Sequence, residues 1–186
     1  ALGLRPILRL LSSAPCRRRP LSSNVNHPMN RLIFLALFAT AICTNGSAQT
    51  WATATSTHQG NGRVIIFRYI NEFGSGFNRS AQPDRIILAW KYRSEKGMPV
   101  LEERQRMDLL EDTLKPLMEK DGFATLALVS TGENLREWTY YANSEGEFMV
   151  RLNEALAGKP AFPIDVHVAS DPKWVMYEKF KAGVQK

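Results

Sequence analysis

Cysteine is scarce in this sequence, and both cysteines lie near its start. Among 186 residues there are only Cys16 and Cys43, which both precede Ala48. The chain beyond Ala48 therefore has no thiol, which excludes a disulfide framework and a cysteine-based metal site there. Its two histidines, His58 and His167, are not spaced as paired ligands, and phosphate-binding, dinucleotide and serine-nucleophile motifs are absent. The sequence predicts no metal and no cofactor.

Acidic residues are missing from the first 48 positions, where six of the 24 lysines and arginines lie. Beyond Ala48, 18 basic residues balance 18 acidic ones, so that part of the chain has a formal net charge of zero. The net charge of +6 over the whole sequence thus comes from its N-terminal part. Nucleic-acid binding requires a basic surface, and no RNP motif is present, so we expect no nucleic-acid partner.

The sequence also lacks an apolar run that would span a bilayer. The twelve uncharged residues 32–43 extend about 18 Å as a helix, well short of the roughly 30 Å hydrocarbon core. They follow Met29 and Arg31 and precede the small residues 46–48, which is the layout of a secretory signal peptide. We expect residues 29–48 to be removed by cleavage near Ala48, leaving a periplasmic or secreted protein without a stable membrane anchor.

Residues 1–28 contain five arginines, no acidic residue and no methionine. Taken alone, this composition is typical of an organelle transit peptide. A transit peptide directly before a secretion signal would give the chain two competing addresses. We therefore interpret residues 1–28 as an upstream extension that results from a start site placed too early.

Hydrophobic periodicity beyond residue 48 predicts an α+β domain. Residues 49–62 are polar and rich in Thr and Ser, so they predict a loose N-terminal segment. Apolar runs predict strands at 63–70, 85–92, 123–130, 135–142 and 163–170, and helical spacing predicts a main helix over 101–120, a second after Ser144 and one or two helical turns at the end. The order from residue 85 is β-α-β-β-α-β. This order predicts a ferredoxin-like antiparallel sheet with two helices on one face and an extra N-terminal strand, as a single domain over residues 63–186.

The predicted strand 135–142 offers two different faces, one of which must point away from the helices. One face carries Arg136, Trp138 and Tyr140, and the other carries Glu137, Thr139 and Tyr141. If the first face is open, its aromatic and cationic side chains form a binding platform. If the second is open, its carboxylate and phenol groups offer an enzymatic site together with residues of the last strand, Asp165 and His167.

Two adjacent carboxylates, Glu111 and Asp112, lie on the predicted main helix. Adjacent helix positions point about 100° apart, so these two groups do not share a site. We interpret them as part of a solvated helix face.

The closing motif Asp171-Pro-x-Trp174-x-x-Tyr177 has a structural and a functional interpretation. Structurally, Asp171 caps a short helix with Pro172 at its first position, and Trp174 and Tyr177 fold onto the sheet as a lid over the core. Functionally, the same two aromatic side chains face a ligand or partner.

Several of these residues together resemble the family called domain of unknown function 695. They are Trp51, Gly97, Pro99, Glu111, Asp112, Arg136, Glu137, Tyr140, Tyr141, Asp171, Pro172, Trp174 and Tyr177. The resemblance covers about residues 51–180, and the closing motif is its most specific part. It implies a bacterial protein related to the ferredoxin-like regulators of ribonuclease activity B. No catalytic residues are established for the family, so the resemblance assigns none.

The sequence as a whole favours an exported, single-domain binding or interaction protein. Its partner would be an unknown protein or a small-molecule ligand. Two alternatives stay open at this point: a small enzyme with a carboxylate or tyrosine site on the open face of the sheet, and an inhibitor similar to the ribonuclease regulators.

Overall fold

The computed structural model describes residues 48–184, which form one six-stranded sheet and three α-helices. In chain order these are β1 (Thr50–Thr57), β2 (Val64–Glu72), β3 (Asp84–Lys91), α1 (Leu101–Met118), β4 (Ala124–Gly132), β5 (Leu135–Ala142), α2 (Glu145–Leu156), β6 (Ile164–Ser170) and α3 (Val175–Val184). The α+β class is confirmed. The predicted upstream extension and the predicted signal peptide before Ala48 lie outside the described residues. Within the described range, none of the helices combines the length and apolarity needed to cross a membrane.

The sheet has the strand order β1-β2-β4-β5-β3-β6, and every neighbouring pair is antiparallel. The predicted extra strand, here β2, pairs with β4 and not with β3. The close approach of β2 and β4 depends on Gly132, which has a φ of 155°. A Cβ atom there would lie 2.5 Å from the carbonyl oxygen of Val64 and 2.8 Å from the Cα of Ile65. Only glycine therefore fits where β2 and β4 approach each other so closely.

The prediction of a loose segment over residues 49–62 is wrong, because most of it is strand β1. The sequence TWATATST is rich in β-branched and aromatic residues, which favour an extended backbone. β1 pairs along its whole length with β2, where Ala54 lies opposite Phe67, and Ala54 is buried in the cluster that Phe180 of the last helix covers. Its polar composition reflects an edge strand with one open face.

Helices α1 and α2 cover one face of the sheet and enclose the main core. This core includes the large aromatic residues Trp90, Trp138, Tyr140 and Phe148. Arg136 points to the same side and forms an ion pair with Asp108 on α1. The predicted exposed platform of Arg136, Trp138 and Tyr140 is therefore wrong. Both faces of β5 carry aromatic residues, so the alternation of side chains along the strand does not show which face the helices cover.

Helix α3 covers part of the opposite face, over β1, β2 and β4. Phe180 of this helix packs against Tyr69 and Leu128. The helix has ten residues, longer than the one or two turns predicted, and it begins at Val175, so Pro172 is not its first residue as predicted. The reason is that Trp174 has a φ of 54°, which breaks the helical path between Pro172 and Val175.

Candidate functional site

An open strip runs beside α1, because β1 and β2 extend the sheet beyond the area that α1 and α2 cover. We call this strip the α1 groove. Arg104, Glu111 and Lys115 of α1 form one side, and Trp51, Ile66 and Arg68 of β1 and β2 form the other. It contains two cavities, of about 360 and 300 Å³, and Arg68 lies between them because it lines both.

The helical period of α1 and the two-residue period of β2 direct these side chains into the groove. Arg104, Glu111 and Lys115 are seven and four residues apart, so they share one face of α1. Ile66 and Arg68 are two residues apart on β2 and therefore point to the same side of the sheet. The pairing of Arg68 with Val129 on β4 places this side towards α1.

Glu111 is at the centre of a charged network in the groove. It accepts hydrogen bonds from Arg68, from Arg136 at 3.3 Å and from the indole nitrogen of Trp138 at 2.9 Å. Arg136 also donates to Asp108 at 3.0 Å. The interpretation of Glu111 as part of a solvated helix face is wrong, because its side chain is only 17 % exposed and joins α1 to β2 and β5.

The network keeps Glu111 ionised. Burial acts to raise the pKa of Glu111, but the hydrogen bonds and charges of Arg68, Trp138 and Arg136 outweigh it and hold this pKa below its ordinary value. A general acid or base at neutral pH needs a pKa near the working pH. Glu111 is thus suited to holding arginines in position and not to transferring protons.

The two cavities of the groove differ in charge. The smaller one is lined by three arginines, four apolar residues and one threonine: Arg68, Arg104, Arg136, Ile66, Met98, Pro99, Val129 and Thr131. The larger one contains both signs of charge, with Lys115 and Arg68 near Glu111 and Glu119.

Trp51 gives the larger cavity an aromatic wall. Its side chain is 41 % exposed, and the guanidinium of Arg68 lies 5.2 Å from the centre of its ring. An exposed tryptophan paired with an arginine presents both an apolar surface and a charge to a ligand. The phenol of Tyr140 also lines this cavity, although the residue is almost fully buried.

The other predicted binding residues form a closed aromatic cluster on the opposite face of the sheet. Trp174 and Tyr177 are fully buried, and the ring of Trp174 stacks on Tyr141 with centroids 3.8 Å apart. The indole nitrogen of Trp174 donates to the carbonyl oxygens of Arg79 and Gln82, each at 3.1 Å. These contacts agree with the interpretation of the motif as a lid, because the rings of Trp174 and Tyr177 are buried and do not face a ligand.

Asp171 holds this lid in place. Its carboxylate accepts hydrogen bonds from the backbone nitrogens of Val175 at 2.7 Å and Met176 at 3.1 Å, as a helix cap does. The hydroxyl of Tyr141 donates to the same carboxylate at 2.8 Å. Burial raises the pKa of the Tyr141 phenol above its ordinary value, and the nearby carboxylate raises it further.

The residues considered for an enzymatic site do not converge. Asp165 pairs with Lys91 at 3.0 Å, whereas Glu137 accepts a hydrogen bond from Ser130 at 3.3 Å. Ala89 lies between Asp165 and Glu137 in the sheet, so their Cα atoms are about 10 Å apart.

The remaining two candidates are His167, which is two residues from Asp165 on the same face of β6, and Tyr141. His167 is exposed on β6, whereas Tyr141 is buried under α3. Within residues 48–184 no three histidine or acidic side chains form a group that could hold a metal ion.

Sequence reasoning missed Arg68 and Arg104 as candidate site residues. Arg68 had a visible signal, because it is the one charged residue inside the apolar run 64–70. Arg104 had none, since it is one of several charged residues in the first half of a helix. Only the family resemblance points to Trp51. Its position in the groove could not be predicted, because the sequence does not predict strand β1, on which it lies.

A family described as "Family of unknown function (DUF695)" matches residues 49–181, a range that includes every strand and both sides of the groove. No curated protein and no solved structure matches the chain.

Proposed function

The chain belongs to the DUF695 family, and we propose that it is an exported, single-domain binding protein whose ligand site is the α1 groove. The observation that carries this proposal is the exposed Trp51–Arg68 pair. Both residues line the cavity of about 360 Å³, and Arg68 also lines the second cavity of about 300 Å³. Cavities of this size, with an apolar wall and a few fixed polar groups, are typical of small-molecule sites.

The charged network of the groove favours binding over catalysis. Glu111 is held ionised between Arg68 and Arg136, and the carboxylates on the other face of the sheet are separate from one another. A network of ion-paired side chains orients a ligand, whereas proton transfer needs a group that changes its charge near neutral pH.

Export is supported by the layout of residues 29–48, where a short basic region precedes a largely apolar run of twelve uncharged residues and a small-residue tripeptide. Sequencing of the N-terminus of protein from the native host should give a start near Gln49. Intact protein that begins at Ala1 in the cytoplasm would refute the export proposal.

We also propose a ferredoxin-like arrangement for the part from β3 onward. The strand order β4-β5-β3-β6, with α1 and α2 on one face, supports it. On this proposal the β1–β2 hairpin is an addition at the β4 edge, and it is this addition that creates the second side of the groove.

A thermal-shift screen with anionic, neutral and cationic small molecules tests the ligand site. A ligand at about 100 times its Kd stabilises the folded state by about 2.7 kcal/mol, a readily measured increase in melting temperature. The increase should disappear in Arg68→Ala and Trp51→Ala and persist in Lys91→Ala, a control on the opposite face of the sheet. Ligands whose stabilisation is the same in all three variants would refute the groove as the site.

A further inference from the structure

The cavity near the start of α1 is unusual in its charge. We call it the arginine pocket, and it is lined by three arginines, four apolar residues and one threonine: Arg68, Arg104, Arg136, Ile66, Met98, Pro99, Val129 and Thr131. Its volume is about 300 Å³. All of its charged lining residues carry positive charge. Building on the ligand site proposed above, we propose that this pocket binds a carboxylate carried on an apolar body.

The ion pairs around the pocket leave one positive charge without a partner. Arg68 pairs with Glu111, and Arg136 pairs with both Glu111 and Asp108, so three guanidiniums face two carboxylates. Arg104 is exposed and forms no ion pair with any residue in the range 48–184. One monoanion therefore neutralises the cluster, which favours a carboxylate over a phosphate monoester with its charge of about −1.5 to −2 at neutral pH.

Arginine is also the residue type whose geometry suits a carboxylate. Its planar guanidinium donates two parallel hydrogen bonds to the two oxygens of such a group. Arg136 is fixed in place, because it lies over the ring of Trp138 at 4.9 Å and donates to two carboxylates. Its Nε atom is buried and has no hydrogen-bond partner among the described residues, so it is not exposed to the pocket. Arg68 and Arg104 are both exposed. Arg68 is already paired with Glu111, whereas Arg104 has no ionic partner among the described residues, so Arg104 supplies the donors that are free for a ligand.

The apolar side chains determine what carries the carboxylate. Val129 is almost fully buried and forms part of the floor, whereas Ile66 is 37 % exposed. Met98 and Pro99 close the pocket next to the first residue of α1. A small hydrated anion would leave these side chains in contact with water, but a hydrocarbon chain or ring would cover them.

Calorimetric titration of the full chain with octanoate tests the proposal. Octylamine and octanamide serve as ligands of the same chain length with a positive and a neutral head. We expect octanoate to bind and to weaken as ionic strength rises, with octylamine and octanamide at least about tenfold weaker, the usual effect of losing a charge-assisted hydrogen bond.

Arg104→Gln isolates the charge of the pocket without disturbing the core, since Arg104 is exposed. We expect it to weaken octanoate binding about tenfold or more, with circular dichroism unchanged. The matched control is Arg106→Gln, because Arg106 is on the same helix but packs over Trp90 on the other side. This control should retain the wild-type affinity for octanoate.

Three results would overturn the inference: no heat of binding up to about 10 mM octanoate, a range that covers even weak ligands, equal binding of octylamine or octanamide, or equal loss in the two variants. The proposed function would survive if the thermal-shift screen found another ligand that requires Arg68 and Trp51. The two proposals therefore fail separately.

Discussion

Replacement of Trp174 by alanine gives the largest loss of stability that we expect from one substitution in the closing motif. The side chain is fully buried, stacks on Tyr141 and makes edge contacts with the rings of Phe73, Phe77 and Tyr177. Truncation of a buried tryptophan costs about 3 to 5 kcal/mol, from lost burial and from the cavity that remains.

Two hydrogen bonds of the indole place the expected loss of stability in the upper part of this range. The indole nitrogen donates to the carbonyl oxygens of Arg79 and Gln82, and Trp174→Ala leaves both without this donor. Since the total stability of a domain is about 5 to 15 kcal/mol, the loss is a large fraction of it. With a melting shift of about 3 °C per kcal/mol, Trp174→Ala should melt roughly 10 to 15 °C below the wild type.

Far-UV circular dichroism during heating and urea titration measures this effect without relying on tryptophan fluorescence. Trp174→Phe keeps an aromatic ring over Tyr141 but removes the indole donor, so we expect an intermediate loss of about 1 to 3 kcal/mol. Trp51→Ala, at a side chain that is 41 % exposed, should cost less than about 1 kcal/mol. A Trp174→Ala protein that melts within a few degrees of the wild type would refute the interpretation of the motif as a lid.

Three further predictions follow from single contacts. Glu111→Gln should cost about 1 to 3 kcal/mol in urea unfolding, because the buried charge of Arg136 then keeps only Asp108 as an ionic partner; an unchanged midpoint would contradict this. Gly132→Ala should destabilise strongly because its Cβ would collide with the β2 backbone. Gly146→Ala on α2 should stabilise slightly, because its Cβ would only make an ordinary contact of 3.9 Å with Ser144 Oγ. Equal effects of the two substitutions would contradict the close approach of β2 and β4. The carboxyls of Glu111 and Asp171 have pKa values below their ordinary 4.5 and 3.8. The stability that they contribute is therefore present above those ordinary values and is lost as pH falls through the lower folded-state values. In acid titrations, the stability of Glu111→Gln and Asp171→Asn should decline less steeply than that of the wild type.

The sequence predicts most of the fold because each core element carries a strong local signal. The apolar runs that became β2 to β6 and the spacing of Met107, Leu110 and Leu114 on α1 were visible without the structure. Strand β1 was missed because its polar threonines are found in loops as well as in edge strands. β1 is a strand because it pairs with β2, and such pairing is a tertiary effect.

The candidate site was less predictable, because it depends on which face of each strand the helices cover. Arg136 and Tyr140 were correctly grouped on one face of β5, but the pattern could not show that α1 lies over them. The groove exists only because β1 and β2 extend beyond α1. Local sequence does not encode that offset between helix and sheet.

The proposed ligand site is the α1 groove. The most direct test is a map of backbone amide shifts in the ¹H–¹⁵N spectrum of the full chain as a ligand from the thermal-shift screen is added. We expect the largest shifts on β1 and β2 around Trp51 and Arg68 and on the side of α1 that carries Arg104 and Glu111. Shifts concentrated instead around Asp165 and His167 on β6, with α1 unchanged, would contradict the claim.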